Sequence, residues 1–88
     1  MAEKRHKIEL IFIINGEDFD VEAHLDEVLS AAVEKALHKS RNTGRPADEW
    51  EVRNAEGVLL EQARTIAELG LKNRERLFLS LRVGAGGS

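Results

Sequence analysis

The chain has 88 residues, 42% of them hydrophobic and 33% charged, with a formal net charge of −3. That length fits one small domain, which buries roughly 60 to 65 per cent of its unfolded surface, and leaves no room for a second. The interspersed charges provide no electropositive face for nucleic acid, and the lack of cysteine excludes disulfides, thiolate catalysis and cysteine-based zinc sites.

The first run, "IELIFIINGEDFDVEAH" from Ile8 to His24, holds two extended stretches around Asn15-Gly16. That dipeptide best tolerates positive φ at both central positions of a two-residue hairpin turn. Pairing Ile14 with Glu17 sets Phe12 against Phe19, Leu10 against Val21 and Ile8 against Ala23, all on one face, which is the expected core. The opposite face then carries Glu9, Ile11, Ile13, Asp18, Asp20 and Glu22, so two isoleucines stand among charges. The run Ile8 to Ile14 is too short to span a bilayer and no signal peptide is visible, so no membrane is expected and a cytoplasmic location is the default.

From Leu25 to Ser40 the period changes, and Val28, Leu29, Ala32, Val33, Ala36 and Leu37 form a helical stripe. Asp26 and Glu27 near its start and His38 and Lys39 near its end suit the helix dipole. Gly44 is the expected stop signal and Pro46 prevents resumption. "WEVRNAEGVLLEQ" alternates again, with Trp50 and Val52 on one face, Glu51 and Arg53 on the other, a turn at Gly57 and a short strand at Val58 to Leu60. Thr65-Ile66-Ala67-Glu68 has capping-box spacing, which predicts a short helical turn ended by Gly70. "RLFLSLRV" sets Leu77, Leu79 and Leu81 against Phe78, Ser80 and Arg82 in a last strand. The order predicts an α+β fold, with one main helix packed on one face of a mixed sheet and the last strand parallel to the first.

His6, His24 and His38 share no helical face, so no metal site is expected. Ser30, Ser40 and Ser80 have no evident base partner, and the chain reads as no enzyme. Ile11, Ile13 and Phe78 fall on the outer face of adjacent strands. They read either as a docking patch for a partner or as a surface that the tail, a loop or self-association covers.

"RTIAELGLKNRERLFLSLRVGAGG", Arg64 to Gly87, has a threonine-led turn, a Leu-x-Leu-x-Leu last strand, an arginine and a diglycine, and "GRPADEW" fits the loop after a helix. In these features the chain resembles ubiquitin and the ubiquitin-like modifiers of the β-grasp fold, over nearly its whole length. The resemblance implies a ubiquitin-like domain over residues 1–83 and a flexible diglycine tail over 84–88. It departs from ubiquitin in the longer ending "RVGAGG", in Arg53 where ubiquitin shows an isoleucine to its readers, and in Ser80 where it has a valine. Its five lysines, Lys4, Lys7, Lys35, Lys39 and Lys72, do not clearly match the main chain-linking positions. A residue after the diglycine is similar to ubiquitin-like proteins that bacteria encode beside activating, conjugating and peptidase enzymes.

The function this resemblance implies is a protein modifier, cut by a maturation peptidase between Gly87 and Ser88. The Gly87 carboxylate would be adenylated and passed to protein targets, with Gly86 and Gly87 as the conjugation site and Arg82 as the residue read by the activating enzyme. The chain itself would need no cofactor, since the ATP is used by the activating enzyme. Gly-Gly-Ser is also a common linker composition, so the tail reads either as a processing site or as an inert extension. Two alternatives stay beside the modifier: a sulfur carrier that holds a thiocarboxylate on Gly87, and a β-grasp binding module that is not conjugated.

Overall fold

The computed structural model describes residues 6–82. Its elements are β1 (Lys7–Ile14), β2 (Glu17–His24), α1 (Leu29–Lys39), a 3₁₀ turn (Ala47–Glu49), β3 (Trp50–Arg53), β4 (Leu59–Leu60) and β5 (Glu75–Leu81). The five strands form one sheet in the order β2-β1-β5-β3-β4. β1 and β5 run parallel at its middle and every other pair is antiparallel, which makes the sheet mixed.

The first hairpin has the register that its turn dictates. Asn15 and Gly16 have φ of 52° and 81°, and Ile14 pairs with Glu17, Phe12 with Phe19, Leu10 with Val21 and Ile8 with Ala23. Because side chains alternate, one face then presents Leu10, Phe12, Ile14, Val21 and Ala23, all buried. Val52, Leu77 and Leu79 continue that face, and Leu29, Ala32, Val33, Ala36 and Leu37 of α1 pack against it. Trp50 joins this core.

The helix starts at Leu29, four residues after the start of the Leu25 to Ser40 run. Leu25 to Val28 is not helical, because its backbone is bonded to the segment 64–67: Ile66 N–H donates to Glu27 O, Ala67 N–H to Leu25 O and Leu29 N–H to Arg64 O. Ser30 N–H donates to Gln62 O, so two of the orphan donors at the helix start find carbonyls on a distant loop. Val28 is the N-cap without a side-chain bond, and no acidic residue lies in the first turn, contrary to the dipole reading of Asp26 and Glu27.

The helix also ends without Gly44. Arg41 takes the left-handed conformation (φ 63°), with Arg41 N–H bonded to His38 O and Asn42 N–H to Leu37 O. These two bonds are those of a Schellman ending, with arginine in the place glycine usually holds. The 3₁₀ turn after Pro46 had no signal in the alternation. The Thr65–Glu68 capping box is reciprocal, with Thr65 N–H to Glu68 Oε1 and Glu68 N–H to Thr65 Oγ1 both at 3.0 Å. It closes a hydrogen-bonded turn ending at Gly70 (φ 69°) rather than a helix.

Candidate functional site: the outer sheet face and the end of β5

β5 is the middle strand of the sheet and carries the chain to Arg82. Its register with β3 pairs Trp50 with Leu81, and Arg82 N–H then donates to Glu49 O at 2.8 Å. The chain is thus held by its backbone to the last described residue, and the exposed Arg82 side chain borders an open groove shared with Asp48, Glu51 and Glu61. Gly86, Gly87 and Ser88, the conjugation and processing residues read from the sequence, lie outside the described residues, as does the 84–88 segment.

On the outer face the pairings align one row across all five strands: Asp18, Ile13, Phe78, Arg53 and Leu59. Ile13 and Phe78 are direct neighbours in this row, Ile13 half-buried and Phe78 40% exposed. Leu59 at the far edge is exposed as well.

Ile11 does not belong to an exposed patch, because it is only 7% exposed. Register sets it between Asp20 on β2 and Arg76 on β5. Arg76 Nη1 also reaches Asp18 Oδ2 at 3.7 Å, and since Asp18 stands beside Ile13, this ion pair crosses β1 between the two isoleucines. The patch read from the sequence as Ile11, Ile13 and Phe78 is therefore exposed only at Ile13 and Phe78. Arg76 was in phase with Phe78 all along, but its position over β1 needed the β1–β5 register, which alternation within one strand cannot supply.

Further ion pairs lie on this face. Arg74 Nη1 meets Glu9 Oε1 at 3.0 Å, and Arg53 divides its guanidinium between Glu51 Oε1 at 3.2 Å and the Gly57 carbonyl at 3.1 Å. Arg53 is thereby drawn toward the β3–β4 turn, and the position where ubiquitin offers an isoleucine presents a fixed charge. Ser80, two residues past Phe78, is exposed too.

No group of side chains able to hold a metal ion occurs among the described residues. Ser40 is used structurally: its Oγ donates to Leu37 O at 3.2 Å and accepts from Asn42 Nδ2 at 2.8 Å. Among the described residues no helix is long and apolar enough to cross a membrane.

The fold is the ubiquitin-like β-grasp. A de novo designed protein based on ubiquitin superposes with a TM-score of 0.76 at 22% identity, covering 93% of this chain and 96% of that one. The ubiquitin of Caldiarchaeum subterraneum superposes with a TM-score of 0.71 at 16% identity, over 88% of this chain and 95% of its own. An Arabidopsis thaliana protein gives a TM-score of 0.70 at 22% identity, over 86% and 87%.

By sequence, the chain belongs to the family described as "Protein of Unknown function (DUF2604)", which it matches over residues 3–87. It is 38% identical over 82 residues to the uncharacterized protein y4jI of Sinorhizobium fredii (strain NBRC 101917 / NGR234). That match covers 93% of this chain and 63% of its relative, which is the longer protein.

Proposed function

We propose that the protein is a ubiquitin-like modifier, joined to target proteins through the carboxyl of Gly87. The observation that carries this reading is the placement of the end of β5. β5 is bonded to neighbours on both sides, the backbone stays attached to Glu49 as far as Arg82, and the diglycine begins four positions later. A rigid domain thus presents Arg82 at a fixed place, four positions before the diglycine in the sequence. The β-grasp fold supports the reading, and so does the resemblance of the ending to that of ubiquitin-like modifiers.

The chemistry proceeds by acyl transfer. A peptidase hydrolyses the bond after Gly87, giving the carboxylate to glycine and the amine to Ser88. An activating enzyme then uses that carboxylate to attack the α-phosphorus of ATP, so pyrophosphate leaves and an acyl adenylate forms. An enzyme thiolate displaces AMP to give a thioester, and a target amine displaces the thiolate to give an amide. Glycine suits each attack, because without a Cβ the carbonyl is open and an extended diglycine passes through a narrow channel. Arg82 offers a planar fork to carboxylates on the activating enzyme. Ile13 and Phe78 form the surface on which the activating or conjugating enzyme rests.

The test is to express the full chain with an N-terminal tag in its own cells and look for heavier species that survive boiling in detergent. The modifier reading expects such species from the native sequence and none from a Gly87→Val variant. Only free protein with its Gly87 oxygen replaced by sulfur would establish a sulfur carrier instead. A tagged chain that stays unjoined and unaltered would refute both.

A further inference from the structure

β2 is an edge strand of eight residues, and nothing in the sheet pairs with its outer side. In the antiparallel pairing with β1, alternate residues turn their N–H and C=O groups toward β1, and Asp18, Asp20, Glu22 and His24 turn theirs away. An edge of this length is a template for another strand.

Several of these outward groups are already taken by the chain itself. Lys39 Nζ donates to the Asp20 carbonyl, Lys35 Nζ donates to the Glu22 carbonyl at 3.0 Å, and Glu27 Oε1 accepts from His24 N–H at 3.0 Å. The spacing explains why two lysines suffice. Lys35 and Lys39 are one helical turn apart on α1, about 6 Å along its axis. Carbonyls two residues apart on one side of a strand are separated by about 6.8 Å.

The opposite edge needs no such device, since β4 has only two residues. On β2 the alternation also places Asp18, Asp20 and Glu22 on one face. If a second copy added its β2 antiparallel about Asp20, Asp18 of each copy would face Glu22 of the other, and the two Asp20 side chains would oppose one another. The backbones would then exchange N–H···O bonds in full, while like charges resisted the contact.

We infer that Lys35 and Lys39 are a latch that closes the β2 edge against a second copy of this chain, with the Asp20 carboxylate as a secondary barrier. The latch acts by occupying the two carbonyls that an incoming strand's N–H groups require. Removing the ammonium groups while keeping their aliphatic stems uncovers those acceptors without opening the core.

Sedimentation of the full chain, from micromolar to millimolar concentration, tests this. The native sequence and Asp20→Asn alone are expected to stay monomeric, whereas the triple variant Lys35→Met/Lys39→Met/Asp20→Asn forms a dimer. Exchanging Asp20→Asn for Asp20→Pro in that triple variant removes an outward N–H, at a site where an edge strand tolerates proline, and is expected to abolish the dimer. The inference is overturned if the triple variant remains monomeric, if Asp20→Asn alone dimerises as strongly, or if the proline variant still dimerises. A measurement on the native chain stands apart from any variant's folding: Lys35, Lys39 and Lys72 are all exposed, yet acetylation of the hydrogen-bonded Lys35 and Lys39 is expected to be slower than that of Lys72 by roughly threefold or more. Equal rates would show that the latch is open in solution, and would overturn it as well.

Discussion

The two faces of the same sheet solve different problems. The inner face is apolar on every central strand and packs under α1, so each residue there is supported by several others. The outer face is built from ion pairs, Arg74 with Glu9, Arg76 with Asp18 and Arg53 with Glu51, around a short apolar row. The inner face therefore holds the fold, and the outer face is free to carry recognition. Ile11 is the exception that sharpens the contrast, since it lies on the outer side and is as buried as Trp50.

The largest effect is expected on the inner face. Phe12 is fully buried beneath the helix, and Phe12→Ala should destabilise the domain by about 3–5 kcal/mol, measured by denaturant unfolding. A loss under about 1 kcal/mol would mean that the core is not where the sheet register places it. Ile11→Ala comes next, at about 2 kcal/mol or more, because a buried isoleucine would be truncated under Arg76 and Asp18. A cost near zero would show that the ion pair does not cover it and would restore the three-residue patch. Phe78→Ala should change stability least, by about 0.5 kcal/mol, yet lower the yield of conjugates. Full conjugation by a Phe78→Ala variant would remove this face from the proposed recognition.

Much of this contrast was legible in the residues. Asn15-Gly16 set the hairpin register, that register chose the buried face, and Leu77 and Leu79 placed β5 on the same side. The ends of α1 were not legible. Leu25 to Val28 continues a helical stripe, but its carbonyls and N–H groups pair with residues 64–67, a long-range contact that no local period encodes. Arg41 in the left-handed region breaks the usual association with glycine, so the true ending carries no glycine signal and Gly44 lies beyond it. The outer face was half legible: alternation put Ile11, Ile13 and Phe78 there, and only the parallel β1–β5 register brings Arg76 over Ile11. The contacts of Lys35 and Lys39 with β2 likewise required knowing that the helix lies along that edge.

The proposed chemistry turns on the last residues, and Arg82 provides a direct handle on them. Trypsin cuts after arginine, so a target lysine joined to Gly87 would retain the five residues Val83 to Gly87 as a branch. Mass spectrometry of tryptic peptides from the native cells should find that Val-Gly-Ala-Gly-Gly remnant in amide linkage to lysines of other proteins. Its absence, with the tryptic peptide that holds the Gly87–Ser88 bond recovered intact and abundant, would contradict the modifier reading at its centre.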